Sequence, residues 1–138
     1  MNRPNFFSES FVFHHIGSLT SNIEDAEKIF SILGFNFTKR IYDPIQEVNL
    51  SFGKNKLGIL LELVEPKEKS KVANLLNRNG AGPYHFCFEV GSISKEENKL
   101  KEQGFICVMK PEKAVAFDNR CIAFYFSQVC GLVELLEK

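Results

Sequence analysis

The chain has 138 residues, of which 44% are hydrophobic and 25% charged, and its 17 basic and 17 acidic side chains cancel. This length suits one domain, or one domain made of two fused half-modules, with a real core. Because the charge is balanced and no basic or amphipathic segment stands out, the composition predicts neither a nucleic-acid nor a membrane partner.

Location and redox state follow from what the sequence lacks. The N-terminus has no signal-peptide pattern, and no apolar run approaches the roughly 20 residues that span a bilayer, so we expect a cytoplasmic protein. The four cysteines have no CxxC spacing. Without a secretory context, four reduced thiols are expected rather than a disulfide framework.

The first half begins with a polar leader over 1–10 and a predicted strand over 11–19. Ser21 and Glu24 have the spacing of a capping box, which predicts the start of a helix. The apolar stripe of that helix, expected to bury against the sheet, consists of Ala26, Ile29, Phe30 and Leu33.

Three more strands are predicted in this half, over 35–41, 47–52 and 57–64, with a turn at 42–44 and a polar hairpin linker at 53–56. Glu62 lies in the last strand among leucines and valines. A carboxylate in so apolar a strand needs a partner such as a cation, unless it lies on the solvent face of an edge strand.

A charged linker helix over 67–79 and a Gly-rich joint are expected before the second half. That half repeats the order, with a strand at 84–90, a helix at 94–103, and strands at 105–110, 120–127 and 132–137. The stretch Tyr84-His85-Phe86-Cys87-Phe88-Glu89-Val90 alternates as a strand does, which places an imidazole, a thiol and a carboxylate on one face.

The two halves repeat each other at fixed spacing. His15 matches His85, and a glycine expected to end a helix follows each histidine by 19 positions, at Gly34 and Gly104. An internal repeat of this kind predicts two modules, over 11–66 and 83–138, joined by a linker over 67–82.

Each half also carries a late glutamate. Glu62 follows His15 by 47 positions, and Glu134 follows His85 by 49. If the halves pair about a pseudo-two-fold axis, two imidazoles and two carboxylates converge. Such a set is a familiar first shell for a divalent ion such as Co, Ni, Zn, Mn or Fe.

Four motifs in this order carry a resemblance to a known family: His15-Ile16-Gly17, Glu62-Leu63-Val64-Glu65-Pro66, Gly82 to Val90, and Gly131-Leu132-Val133-Glu134-Leu135. They resemble the vicinal oxygen chelate (glyoxalase/bleomycin resistance/dioxygenase) superfamily, and within it methylmalonyl-CoA epimerase and lactoylglutathione lyase-like proteins. The resemblance covers residues 11–137. It implies an α+β fold in which two tandem βαβββ modules form a curved, mostly antiparallel sheet around a central metal site.

The resemblance also implies roles for individual residues. The implied metal ligands are His15, Glu62, His85 and Glu134. Glu134 is the implied catalytic base and Glu47 a second catalytic acid or base. If the alignment with the family is shifted at the second acid, Asn49 points inward beside Glu47, and Leu50 stands at the position where the epimerases have the acid.

His14 competes with His15 for the first ligand position. We favour His15 because it aligns with His85 and directly precedes the Ile-Gly pair. His14 corresponds to Tyr84 and is therefore expected to face the helix.

The activity implied is that of a metal-dependent isomerase or epimerase that abstracts a proton beside a thioester or ketone, with a metal-stabilised enolate. A small-molecule substrate, acyl-CoA or another thioester, and a homodimer are implied with it. The alternatives are a lactoylglutathione lyase (glyoxalase I)-like enzyme, an epimerase of a sugar or secondary metabolite, and a non-catalytic module that binds a small molecule.

Some stretches depart from the family pattern. Residues 127–131 replace the Asp-Pro-x-Gly turn of lactoylglutathione lyases, and Tyr84 stands where epimerases have a second histidine. Residues 111–119 replace a Gly-rich loop of the epimerases. Possible anion contacts here are Lys113, Asn119 and Arg120, with plain loop polarity as the alternative.

Overall fold

The computed structural model describes residues 7–138, so residues 1–6 of the predicted leader lie outside the described residues. The strands are β1 (Val12–Leu19), β2 (Asn36–Asp43), β3 (Val48–Lys54), β4 (Leu60–Pro66), β5 (Gly82–Val90), β6 (Ile106–Ala114), β7 (Arg120–Ser127) and β8 (Gly131–Glu137). The helices are α1 (Ile23–Ile32), α2 (Lys71–Asn79) and α3 (Ile93–Lys101), with a short 3₁₀ turn at Val115–Phe117.

The eight strands form a single curved sheet in the order β2-β3-β4-β1-β5-β8-β7-β6. β1 runs parallel to β4, and β5 runs parallel to β8, while β1 and β5 meet antiparallel at the centre. The remaining neighbours are antiparallel. The order is thus mirrored about the β1–β5 pair, and the predicted α+β class is confirmed.

Helices α1 and α3 cover one face of the sheet. Ile93 of α3 packs in a buried cluster with residues of β7 and β8. The corresponding cluster under α1 contains Ile23, Ala26, Leu61 and Leu63. Because side chains alternate along a strand, Glu62 between these two leucines points to the opposite face.

Glu65 and Glu137 each bind the backbone at the start of a helix. They follow Glu62 and Glu134 by three positions. Glu65 accepts a hydrogen bond from the backbone N–H of Ile23 at 2.8 Å, and Glu137 accepts one from Ile93 at 2.8 Å. Each bond satisfies a free donor of a first turn and places a negative charge at the positive end of the helix dipole. The Glu-x-x-Glu spacing thereby ties each late strand to its helix.

Two predictions about α1 are wrong. The cap is Asn22, whose side chain accepts from the backbone N–H of Asp25, so Ser21 and Glu24 form no capping box. Ile29 and Leu33 are 58% and 64% exposed. Ile29 lies about 100° round the helix from the middle of the buried stripe, and Leu33 follows the last helical residue.

The strands flanking the outer loops are longer than predicted. β2 continues through Asp43, and the turn falls at Pro44 to Glu47. β6 continues to Ala114, because residues 112–114 still pair with β7 beyond an irregularity in the ladder. The predicted loop over 111–119 therefore shrinks to residues 115–119.

Two features bear on the chain's surroundings. The four cysteines are free, as predicted. Within residues 7–138, the helices are all too short or too polar to cross a bilayer.

Candidate metal centre

Two β-bulges lie in the β1–β5 pair at the centre of the sheet. The β1–β5 register shifts between Phe13 and His15, so His14 is the extra residue on β1, and a second shift leaves Tyr84 as the extra residue on β5. A bulge breaks the strict alternation of side chains and re-aims them. Each bulge therefore brings a histidine and the residue before it to the same face of the sheet.

The four predicted site residues meet on that face. The Nε2 atoms of His15 and His85 lie 3.3 Å apart. Glu134 Oε1 lies 3.1 Å from each Nε2, and Glu62 Oε1 lies 3.6 Å from each. Two histidines and two glutamates, one of each from either half, thus point their polar atoms at one position.

These side chains are withdrawn from solvent. His15 is 0% exposed, Glu134 2%, and Glu62 and His85 4% each. Within residues 7–138, Glu134 Oε1 is buried without a hydrogen bond, although it lies 3.1 Å from the Nε2 atom of each histidine. Buried polar atoms of folded proteins are nearly always satisfied, so a group outside the protein chain is expected to engage the cluster.

The cluster shifts the pKa values of its own members. Burial alone would lower the pKa of His15, but the carboxylates of Glu62 and Glu134 outweigh it and raise that pKa to about 10. Burial alone would raise the pKa of Glu134, yet His15 and His85 hold it well below its usual range. Without an ion, the centre is therefore held together by a charged imidazole and a carboxylate.

These shifts predict how the stability of the ion-free protein depends on pH. The contribution of His15 is fully present below pH 6.5 and is lost as the pH rises through about 10. The contribution of Glu134 is present above pH 4.5 and is lost as the pH falls below it. Urea unfolding across this range should give a maximum between pH 4.5 and 6.5, and the alkaline decline should flatten in H15Q. An equally steep decline in H15Q would contradict the prediction.

Gly17 is required by the packing of one histidine. A Cβ atom added at Gly17 would lie 2.1 Å from His85 Cε1 and 2.5 Å from both ring nitrogens. Gly17 pairs with His85 across the β1–β5 ladder, and Cys87 pairs with His15 at the equivalent place in the repeat. The glycine of the His-Ile-Gly motif therefore leaves the space that the His85 ring fills.

The family model of the glyoxalase/bleomycin resistance protein/dioxygenase superfamily matches residues 14–124. The chain belongs to this superfamily. A comparison with curated proteins gave no significant match.

Several solved structures share the fold of this chain. A hypothetical protein from Bacillus halodurans is 26% identical with a TM-score of 0.82, over 94% of this chain and 96% of that chain. Methylmalonyl-CoA epimerase from Mycobacterium tuberculosis is 21% identical with a TM-score of 0.79, over 96% and 92%. A Streptomyces coelicolor methylmalonyl-CoA epimerase variant in complex with 2-nitronate-propionyl-CoA is 20% identical with a TM-score of 0.78, over 94% and 99%.

The superfamily typically uses a divalent metal, and the donor set fits one. Ligands about 2.0–2.2 Å from an ion, at tetrahedral or octahedral angles, are separated from each other by about 2.8–3.6 Å. The imidazole and carboxylate atoms described above are 3.1–3.6 Å apart. The mixed nitrogen and oxygen set does not select a single metal.

Phe117 of the 3₁₀ turn covers the cluster of two histidines and two glutamates. Its ring stacks on His15 at 5.6 Å with an interplanar angle of 21°, and meets the edges of His14 and Phe52. Lys39 Nζ of β2 donates a hydrogen bond to the carbonyl of Ala116 at 2.8 Å. The cavity beneath has a volume of about 10 Å³, space for at most one water molecule.

Removing the Phe117 ring should open the centre. In F117A, a chelator such as EDTA should extract bound Co²⁺ or Zn²⁺ at least about tenfold faster, because the stacked cover over His15 is lost. The matched control is F126A, since Phe126 is 40% exposed and is not among the residues lining the cavity. Equal extraction rates in F117A, F126A and the wild type would show that Phe117 does not cover the ion.

Glu47 does not join the cluster. It is exposed in the turn before β3 with φ of +56°, and its carbonyl accepts a hydrogen bond from the Lys67 N–H. The cavity-facing residues of β3 are Val48 and Leu50. Asn49 instead donates to Glu65 at 2.9 Å on the helix face. The expectation that Glu47 points inward is wrong, and so is the alternative in which Asn49 points inward beside it, because the strand alternation runs one residue out of phase with both.

His14 also lies elsewhere than expected. It was predicted to face the helix, but its Nδ1 is 2.8 Å from His15 Nδ1 and its ring contacts Phe117 on the ligand face. The bulge explains the change, since consecutive residues no longer point to opposite sides.

Tyr84 is a cavity residue that sequence reasoning missed. It lines the cavity with Glu62 and Glu134, and its ring meets His85 edge-on at 4.5 Å. Burial, and then the two glutamates, raise the pKa of Tyr84 well above its ordinary value, so the phenol keeps its proton. The sequence signal for Tyr84 was its alignment with His14. That alignment did not reveal the bulge that turns Tyr84 toward the cavity.

The three residues suggested as anion contacts lie near the end of β6, in the loop after it and at the start of β7. Arg120 binds Glu89 and the carbonyl of Glu137, so its charge is already paired. Lys113 is exposed, and Asn119 has φ of +62° and donates its backbone N–H to the carbonyl of Ala114. Anion contacts of Lys113 and Asn119 stay predictions.

Proposed function

We propose that the protein is a divalent-metal-dependent isomerase that removes a proton from the carbon beside a thioester or ketone carbonyl, most like methylmalonyl-CoA epimerase. The observation that carries the proposal is the convergence of His15, His85, Glu62 and Glu134 on one buried position. Support comes from similar structures that are methylmalonyl-CoA epimerases, one with 2-nitronate-propionyl-CoA and one with methylmalonyl-CoA. An acyl-CoA or another thioester is the proposed substrate, and a homodimer is part of the proposal.

Each residue of the cluster has a role in the proposed reaction. A divalent ion supplies a Lewis acid for the substrate oxygen on which negative charge develops. His15, His85 and Glu62 hold that ion and fix its place relative to the cavity. Glu134, whose Oε1 is buried without a hydrogen bond in residues 7–138, also accepts the proton from carbon.

The cavity has room for one water molecule at most, so a substrate would have to widen it, and its walls would then keep water away from the reacting carbon. Most of the residues that line them are apolar: Val48, Leu50, Val64, Ala114, Ala116, Phe117, Ile122 and Phe124. A dry wall strengthens the interactions that stabilise developing charge. It also prevents loss of the abstracted proton to solvent.

One observation favours a second candidate reaction. Epimerisation needs an acid on the face opposite the base, but the residues of β3 that face the cavity are Val48 and Leu50, neither of which is an acid. Asp43 also lines the cavity, and its carboxylate is engaged by the N–H groups of Ile45 and Gln46 and by the Gln46 side chain. A single carboxylate can carry a proton between neighbouring carbons, as a lactoylglutathione lyase-like isomerase requires.

Proton exchange tests both reactions. One epimer of methylmalonyl-CoA is incubated in D₂O with the protein and Co²⁺, Ni²⁺, Mn²⁺ or Zn²⁺, and C2 deuteration and epimer composition are followed by NMR. The hemithioacetal of methylglyoxal and glutathione is assayed in parallel by the absorbance of the thioester product.

The outcomes separate the candidates. Deuteration with inversion supports the epimerase. Deuteration without inversion, or turnover of the hemithioacetal, supports the single-base isomerase and overturns the epimerase. No exchange and no turnover with any of the four ions would overturn both.

A further inference from the structure

The two halves supply equivalent ligands but support them differently. His15 Nδ1 lies 2.8 Å from His14 Nδ1. His85 Nδ1 is buried without a hydrogen-bond partner among residues 7–138. The residue that precedes it, Tyr84, has no nitrogen to offer. One ligand histidine therefore has a neighbour at its second ring nitrogen, and the other does not.

We propose that His14 positions His15 for the ion by accepting a hydrogen bond from its Nδ1–H. This inference rests on the metal centre proposed above. A neutral imidazole carries one proton, so a proton held at Nδ1 leaves the Nε2 lone pair free. Nε2 of His15 is the atom that faces Glu62, Glu134 and His85.

The surroundings hold His14 in place for this role. Its ring meets His15 edge-on at 5.1 Å and 78°, and meets Phe117 edge-on at 5.5 Å and 86°. The β1 bulge puts both histidines on one face. His14 thus has the arrangement of the outer-shell partners that orient ligating histidines and tune affinity for the ion.

A competing arrangement uses the same residues differently. His14, His15 and Cys87 offer ligand atoms within 4.8 Å of one another and could hold an ion of their own. His15 would then bind one ion through each ring nitrogen, which requires it to lose both protons. The direct 2.8 Å contact between the two Nδ1 atoms instead has the length of a hydrogen bond.

Two substitutions of His14 distinguish these roles. The oxygen of asparagine in H14N branches from Cγ as Nδ1 does and keeps an acceptor near that place, whereas H14L keeps bulk without an acceptor. Co²⁺ affinity and stoichiometry are measured by competition with a chelating dye, with the visible Co²⁺ spectrum as a report on the ligand set. The exchange-protected Nδ1–H signal of His15 is recorded by NMR on the Zn²⁺-loaded proteins.

We expect H14L to bind Co²⁺ about 10- to 100-fold more weakly than the wild type. It should still bind one ion per chain with the wild-type spectral pattern, and it should lose the protected Nδ1–H signal. H14N should restore both affinity and signal.

Equal affinities in H14L and the wild type would overturn the role of His14. Two ions per chain in the wild type and one in H14L would also overturn it, because His14 would then be a ligand. A wild-type protein that binds no Co²⁺ would overturn the metal centre itself, which separates the two failures.

Discussion

Replacement of Gly17 by alanine is expected to weaken binding of the divalent ion strongly. The new methyl group would lie 2.1 Å from the His85 ring, a distance that contacting atoms never reach. Tyr84 and Phe124 meet the ring edge-on and so limit the directions in which it can move. We therefore expect His85 to leave its place, with at least about a hundredfold loss of Co²⁺ affinity in the dye competition assay.

Two other glycines separate this effect from general strain. A Cβ at Gly53 would lie 2.7 Å from the Phe37 ring, outside the site, and a Cβ at Gly91 would meet nothing within 4 Å. G53A should lower the urea midpoint but keep Co²⁺ affinity, and G91A should change neither. If G17A binds Co²⁺ as tightly as G91A does, His85 is not a ligand in the arrangement described.

Replacement of Glu134 by glutamine should reduce proton exchange on the accepted substrate by about a thousandfold or more. The variant loses both the proton acceptor and one anionic oxygen beside the two imidazoles, and general base catalysis alone contributes about 10²–10⁴. Raising the ion concentration until the site is loaded should restore only part of the rate. The measurement is the C2 deuteration rate, or hemithioacetal turnover, at saturating ion.

Glu137 provides the matched control, because it lies on the same strand three residues along and accepts its bond from Ile93 at a helix start. E137Q makes the same change of charge outside the cluster. It should cost about 1 kcal/mol of stability and leave the exchange rate of the loaded protein unchanged. Equal losses in E134Q and E137Q would show that Glu134 is not the base.

The sequence was sufficient for the parts of the site that depend on long-range repetition. His15 and His85 could be paired through the shared spacing to Gly34 and Gly104, whose φ values of +97° and +90° are those of a glycine just after the end of a helix. The late glutamates followed from the same repeat. Their role as ligands and the homodimer stay predictions.

The errors have local causes. A bulge adds one residue to a strand without a marker in the sequence, so His14 and Tyr84 were assigned to the wrong face. Strand alternation has a period of two, so a one-residue error at the start of β3 exchanged Glu47 and Asn49 for Val48 and Leu50. Ile29 stays exposed because it lies about 100° round the helix from the stripe that is buried.

The hydrogen bond from Lys39 to Ala116 makes the two halves depend on each other beyond the shared cluster of histidines and glutamates. Lys39 belongs to the first half, while the backbone it holds carries the ring that covers the centre from the second. If the chain arose by duplication of an ancestral half, the copies have since become unequal. The first half contributes the Lys39 side chain, and the second half contributes the turn that Lys39 binds and that carries Phe117. Neither half could therefore be replaced by a second copy of the other.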